Sequence, residues 1–531
     1  MKKKVYLLLL LFLTAKLSCI VDNNTHWFDQ GVNAFNNKDY QHALDLFKKT
    51  IHLTPYSINA YFNAGLCCMH LIRWKQAANY FKKAANQNTR HFNAHFYCAR
   101  SLRNAKKIHE AIEMFTRAIA LNPNDIDAQF ELGVLYTQQY VYDKALDCYD
   151  AVLKIAPQCI DALRNAGHTA RYKGDMRRAA DYYKRGITLK PNQAHLQYGL
   201  GESLLALGDF KNGWDAFEHR WKRMPDKRKF SDKQWDGKTD LCGKKIVVRA
   251  EYGQGDSIQF IRYAQLLKKM GAIVIFETQH TLLDLLNTSP YIDKLIMVNE
   301  NKPLNIEHDY QIPIMSLPHV FNTWSEHDIP NNVPYIWAQP ELVDSWKQKI
   351  AHDTNFKIGI CWQGSPYYEK FKSPLSRKAV PVKLFAELAR IDGVSVYSLQ
   401  KINGLEELKE LSNNIVIHSY NDFDYSHGRF MDTAALIKNL DLVITVDTSV
   451  AHLAGALGAP TWVLLPYVAD WRWMQHRSDC PWYPTMQLFR QIEPDNWQSV
   501  MNEIIITLVK EKLSNLKNSS SDSKANSQKL L

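Results

Sequence analysis

Three stretches in the second half of this chain hold residues suited to negative charge and to proton transfer. The first is Gly253-Gln254-Gly255-Asp256, which follows the β-branched run 246–250 (IVVRA). Two glycines after a strand let backbone approach a ligand closely. The loop leads into a helix N-terminus, where free N–H groups and the helix dipole favour an anion. Asp256 admits two readings on spacing alone. In one it caps the helix that starts at Ser257, a contribution of about 1 kcal/mol. In the other it is a carboxylate at the lip of a cleft and takes the proton of an acceptor hydroxyl. The spacing is not GxGxxG, so no dinucleotide-binding fold is claimed.

The second stretch is Val446-Asp447-Thr448-Ser449-Val450-Ala451-His452. It follows an apolar strand and opens the helical segment AHLAGALG, which Gly458 ends and Pro460 stops. Thr448 and Ser449 are natural caps. A diphosphate docked here meets hydroxyls, backbone N–H groups and the dipole together. His452 lies in the first turn, facing the same ligand. The plainer alternative is a capped helix with a satisfied histidine. The third stretch is Ser373-Pro374-Leu375-Ser376-Arg377-Lys378-Ala379-Val380-Pro381. Its adjacent cations Arg377 and Lys378 either neutralise a diphosphate leaving group or form a solvated basic loop.

Alternating strands and helices must hold these loops. Short β-branched runs predict strands at 246–250, 273–277, 295–298 and 310–314, with a helix over 257–270 closed by Gly271. A polar, proline-spaced connection covers 328–340. A second series predicts strands at 357–362, 395–399, 415–418, 441–446 and 461–465, with helices at 382–391, 432–439 and 450–457. This is βαβ architecture: two Rossmann-like lobes with a cleft between them, the GT-B arrangement. Ligands in such sheets sit at the carboxyl ends of the strands, which is where the first two loops fall.

The first half repeats every 34 residues. Gly31, Gly65, Ala99, Gly133, Gly167 and Gly201 form one column. Ala43, Ala77, Ala111, Ala145, Ala179 and Gly213 form a second, and Phe47, Phe81, Phe115, Tyr149, Tyr183 and Phe217 a third. Pro55, Thr89, Pro123, Pro157, Pro191 and Pro225 form the fourth. Period and residue types match the tetratricopeptide repeat (TPR), an α-solenoid of antiparallel helix pairs. Small residues let helices approach, the aromatic fills the gap, and proline ends the second helix. Stacking supplies the core, and the concave face is expected to bind a protein or peptide segment. Trp214, Phe217, Trp221 and Trp235 are expected to seal the array against the next domain as packing.

Net charge is +11 over 531 residues, but residues 1–19 carry +4 and 514–531 carry +2, which leaves +5 for the body. That distribution lacks the concentrated stripe of a nucleic-acid binder. The nine cysteines include no CxxC pair, so neither zinc nor a disulfide framework is indicated; Cys67, Cys68, Cys98 and Cys148 read as small buried hydrophobes. A Lys-rich start and an apolar run from Val5 to Ala15 read as a signal or short anchor, too short to span a bilayer, which needs about 20 residues. The expectation is a membrane-associated or exported chain with a possible membrane tether. The expected boundaries are 1–22 for this segment, 24–227 for six repeats, 228–330 and 341–513 for the two lobes, and 514–531 for a disordered tail.

Residues 243–500 resemble the heptosyltransferase-like glycosyltransferases of family 9 in a TPR-fused form. The motifs that carry the resemblance are EYGQGDSIQFIRYA, KIGICWQGS, SRKAVP, VYSLQK, DTAALIKNLDLVITVDTSVAHLAGALGAPTWVLLP, DWRWM and PWYPTMQLFRQ. With the repeats, the likeness covers nearly all of 24–500. It implies an inverting, metal-independent transferase that uses a nucleotide-diphosphate sugar and no cofactor, and nucleotide-sugar use favours the cytoplasmic side. It makes Asp256 the proposed general base and Lys378 a phosphate contact. Asp447, Thr448, Ser449 and His452 match the donor-binding loop, and Gln400 falls near the nucleotide. Arg377 is as basic as Lys378, so either contacts the phosphate; Gly253 and Gly255 belong to the cleft loop. The family's lipopolysaccharide acceptor contacts have no counterpart, so the acceptor is a glycan or a protein. Two alternatives stand beside this: a protein O-GlcNAc-type transferase, and a TPR scaffold with an inactive transferase domain.

Overall fold

The computed structural model describes residues 25–223, 233–298, 306–365, 378–411 and 415–511. The chain separates into two compact units, residues 1–170 and 171–531. The expected leader (1–22), the expected tail (514–531) and Arg377 lie outside the described residues. No helix among the described residues is long and apolar enough to cross a membrane, so the expected membrane-associated or exported placement, tether included, finds no support.

The first unit is a run of antiparallel helices: 25–36, Tyr40–Leu53, Ile58–His70, Trp74–Gln87, Phe92–Asn104, Ile108–Leu121, Ile126–Gln138, Tyr142–Ile155 and the start of Ile160–Lys173. Asp39, Ser57 and Asp125 cap helices with their side chains; Asp125 Oδ1 accepts from the Ala128 N–H at 2.8 Å. The sequence columns meet in space. A Cβ added at Gly31 or Gly65 would sit 2.7 Å from a ring carbon of Phe47 or Phe81, and one at Gly133 would sit 2.8 Å from Tyr149. Those rings are fully buried, as are Cys67, Cys68 and Cys98. A further column emerges only in three dimensions. Lys38, Ile72, Lys106 and Tyr140, spaced by 34, hold φ between 60° and 63° at the turn inside each pair. Left-handed backbone costs a non-glycine residue about 1–2 kcal/mol, and the packing on either side outweighs it.

The second unit begins with the helices Met176–Leu189, Ala194–Ala206 and Phe210–Phe217 and continues into two parallel sheets. Strands β1 (Lys245–Arg249), β2 (Ile273–Thr278), β3 (Lys294–Met297) and β4 (Tyr310–Pro313) lie in the order β3-β2-β1-β4. Strands β5 (Phe356–Cys361), β6 (Val394–Ser398), β7 (Ile417–His418), β8 (Leu442–Val446), β9 (Thr461–Leu465) and β10 (Met486–Arg490) lie in the order β10-β9-β8-β5-β6-β7. Successive side chains of a strand point to opposite faces. Leu442, Ile444 and Val446 of β8 join one buried core with Trp497 and Met501 of the helix at 497–511, and Val443 joins the other. Trp214 and Phe217 pack edge-on against Trp471 at 5.3 and 5.9 Å, the packing role expected of them, while Trp235 packs against Phe321 instead. A helical solenoid followed by this parallel-sheet region is consistent with a GT-B glycosyltransferase.

Four elements differ from the sequence reading. The helix expected at 382–391 stops at Phe385 and gives way to a 3-10 turn at Leu388–Arg390. β10 is an edge strand whose ladder partner is β9, with one antiparallel bridge from Gln487 to Asp479 on its other side, and its polar-interrupted pattern (MQLFR) gives little periodic signal. The helix Pro340–Lys349 occupies a stretch adjoining the expected connection. The helix expected from Ser257 begins at Gln254 and is broken by a 3-10 turn at Ile261–Tyr263.

Candidate active site

Both sheets have a switch point, where strand order reverses and the loops leaving two neighbouring strands diverge. In the first it lies between β1 and β4, in the second between β5 and β8. Ligands collect at the carboxyl ends of strands at such points. The residues leaving all four strands line one cleft of about 890 Å³: Tyr252–Asp256 after β1, Met315 after β4, Gln363–Ser365 after β5 and Asp447–Val450 after β8. The cleft lies wholly in the second unit.

Gly255 and His452 approach each other closely. A Cβ on Gly255 would lie 2.7 Å from His452 Cδ2, so only glycine admits the ring. His452 stacks on Trp473, with centroids 5.3 Å apart, and its Nδ1 is 2.9 Å from the Tyr483 hydroxyl. Burial drives the His452 pKa down to about 3, against the pull of Asp447, so the ring is neutral in the folded protein.

Asp256 is in the first turn of the helix Gln254–Phe260 rather than at its cap. Gly253 occupies the cap, and its N–H donates to Asp256 Oδ2 at 2.8 Å. The other carboxylate oxygen accepts from the Arg472 guanidinium. Burial raises the Asp256 carboxyl above the usual range; Arg472 and the Gly253 N–H pull the other way and do not cancel it. Arg472 also donates to Asp470 at 2.8 Å and to Gln259 Oε1 at 2.9 Å. Burial opposes the Asp470 charge, but Arg472 and Lys378 outweigh it and hold that carboxyl at about 2. Lys378 pairs with Asp447. Burial works against its charge, and Asp447 and Asp470 more than offset that.

Thr448 stands at the N-cap of the helix Ser449–Ala456, but its side chain makes no capping hydrogen bond. Its hydroxyl instead lies 3.4 Å from that of Thr445. Gln400 follows β6 and lines the cleft, yet its carboxamide is occupied by backbone: Oε1 accepts from the N–H groups of Trp362 and Gln363 at 3.1 and 3.2 Å, and Nε2 donates to the Gln363 carbonyl at 2.9 Å. It clasps the turn that leaves β5. Among the described residues no group of three or more His, Cys, Asp or Glu is gathered as a metal site.

The structure thus brings Gly253, Gly255, Asp256, Lys378, Gln400, Asp447, Thr448, Ser449 and His452 to one cleft. The sequence reading missed Asp470, Arg472 and Tyr483. They sit in the stretches DWRWM and PWYPTM, whose runs of aromatic residues among charges outside any regular periodicity were the available signal. Tyr252, Asp424 and Phe430 also line the cleft with φ of 49°, 54° and 68°, and left-handed non-glycine backbone concentrates at functional sites.

Comparison with known proteins agrees with this picture. Residues 102–166 and 164–218 match tetratricopeptide-repeat families. Residues 427–467, which include β8, the loop after it, His452 and β9, match glycosyltransferase family 9 (heptosyltransferase). The chain is similar to Protein FlbA of Caulobacter vibrioides, with 23% identity over 343 residues, 59% of this chain and 55% of FlbA. It therefore spans about half the length of that curated relative. Solved structures similar to part of it include YrrB, a TPR protein with an unusual peptide-binding site (24% identity, TM-score 0.31, 32% of this chain and 89% of that one). Another is MamA (25% identity, TM-score 0.31, 32% and 94%). The chain carries tetratricopeptide repeats and a family 9 segment, a combination that supports a glycosyltransferase with a repeat scaffold.

Proposed function

We propose that the cleft binds a nucleotide-diphosphate sugar and that the sugar passes, with inversion and without a metal, to a hydroxyl of a glycan or protein acceptor. One observation supports this above the others. The loop after β1 and the helix after β8 meet at Gly255 and His452, so Asp256 shares a cleft with the N-terminus that follows Val446.

The diphosphate lies against the amides that open the helix Ser449–Ala456, with the Thr448 and Ser449 hydroxyls and the cations Lys378 and Arg472 around it. The acceptor oxygen attacks the anomeric carbon from the face opposite the diphosphate. A new C–O bond forms as the bond to the diphosphate oxygen breaks. Asp256 receives the hydroxyl proton, and the leaving diphosphate keeps the bonding electrons. A base works best with a pKa near the working pH, and the upward shift of Asp256 moves it that way. Charge that develops on the diphosphate is stabilised where dipole and cations already stand. Gln400 acts by shaping the turn after β5. The repeats engage a protein or peptide segment, the usual work of such arrays.

The test uses the full chain and a panel of UDP, GDP, ADP and dTDP sugars, with release of the nucleoside diphosphate as readout. Turnover of at least one donor is expected. Asp256→Asn should lower it about a hundredfold or more with an unchanged circular dichroism spectrum. Equal turnover in that variant ends the base assignment, and a wild type inert towards every donor returns the scaffold reading.

A further inference from the structure

Resting on that donor reading, we infer that the helical end of the cleft is an acceptor subsite for a sugar ring, built from Tyr198, Glu202 and Tyr252. Tyr198 and Glu202 stand four residues apart on the helix Ala194–Ala206, and both line the cleft; residues at that spacing share a helix face. The helix packs on the turn Trp471–Trp473. A chain of aromatic contacts runs from Tyr198 to Phe217 at 5.4 Å and on to Trp471 at 5.9 Å. Arg472 lies over the Trp471 ring at 4.3 Å and bonds Asp256. The wall supplied by the last repeat therefore reaches the carboxylate that takes the acceptor proton.

Glu202 is fixed there by the buried Arg171, 2.7 Å away. A carboxylate offers about four acceptor sites, so it serves an arginine and a ligand hydroxyl at once. Tyr252, on the loop that carries Asp256, is 46% exposed and held at φ 49°. Glycine would rest there without strain, and strain retained at a cleft points to use of the side chain. Aromatic faces and a fixed acceptor that line one cleft suit a ring with an apolar C–H face and a hydroxyl edge. An extended peptide instead wants an open row of backbone donors and acceptors. The helix Ala194–Ala206 offers none, since its backbone groups bond within the helix.

Saturation-transfer NMR on the full chain decides the matter, with methyl glycosides of glucose, galactose, mannose and N-acetylglucosamine as probes. At least one glycoside should receive saturation from the wild type. The signal should fall about fivefold in Tyr252→Gly, which relaxes the backbone as it removes the ring, and in Tyr198→Leu, which keeps the packing. Affinity for UDP, GDP, ADP and dTDP should be unchanged in both variants. The inference is overturned if no glycoside is saturated, or if both variants keep the wild-type signal. It is equally overturned if a Ser/Thr peptide pool, rather than any glycoside, loses binding in them. A wild type that binds none of the four nucleotides sinks the donor reading instead, and the glycoside arm still reports on this subsite.

Discussion

Glycine makes room for a ring in two parts of this molecule, by different routes. In the repeats, Gly65 lets Phe81 pack within one helix pair, 16 residues along the chain, and the arrangement recurs at Gly31 and Gly133. In the cleft, Gly255 admits His452 from a different sheet, nearly 200 residues away, and among the described residues no 34-residue period repeats it. The first contact builds a scaffold that other helix pairs build in the same way. The second joins a carboxylate to a helix N-terminus and has no duplicate to fall back on. Equal crowding thus serves stability in one region and chemistry in the other.

The largest effect that would sharpen this contrast is electrostatic. Phe81 has no charge to lose, whereas His452 is buried neutral with a pKa of about 3 against an ordinary 6.5. The unfolded chain takes up a proton across that interval and the folded chain does not. This contribution to stability is complete above pH 6.5 and is lost progressively as the pH falls towards 3, by up to about 5 kcal/mol at 1.36 kcal/mol per unit. Urea unfolding at a series of pH values should show the loss in the wild type and a shallower one in His452→Gln. Parallel curves would mean the ring is protonated in the fold.

Next come the glycines themselves. Gly65→Ala and Gly255→Ala each force a Cβ to 2.7 Å from a ring, and overpacking of this kind costs about 1–3 kcal/mol. Thermal unfolding should therefore rank them together. Donor hydrolysis should separate them, with Gly65→Ala near wild type and Gly255→Ala lowered about tenfold or more through displacement of His452 and the Asp256 loop. Similar activity in both would remove the distinction between scaffold glycine and site glycine.

The smallest effect concerns Arg472. Its guanidinium pulls the Asp256 carboxyl down against the larger effect of burial. Lysine keeps the charge but loses the planar fork that reaches Asp470, Gln259 and Asp256 together. In Arg472→Lys the acid limb of the rate profile should therefore move to higher pH. A shift to lower pH would show that another group controls that limb.

Legibility followed the same division. The columns from Gly31 to Gly201 and from Phe47 to Phe217 stood out because each repeat poses one packing problem and solves it with the same residue types. The left-handed column Lys38, Ile72, Lys106 and Tyr140 did not, because turn geometry recurs there without a common side chain. In the cleft, Asp256 and Asp447–His452 were legible as loops at strand ends. Thr448 was expected to cap its helix and instead turns towards Thr445. Gln400 was expected near the nucleotide and spends its carboxamide on the β5 turn. Arg472 carried no periodic signal at all, since its partners lie up to 216 residues away.

The residues alone determined the helix pairs, the strand runs and the polar loops that end them, because those preferences act over a few bonds and repeat or alternate with a fixed period. Only the tertiary structure decided that β5 lies beside β8, that two sheets open into one cleft, and that Asp256, Arg472 and His452 share it. Those neighbours are chosen by how whole sheets bury their faces, and no local pattern encodes which distant loop that burial brings alongside.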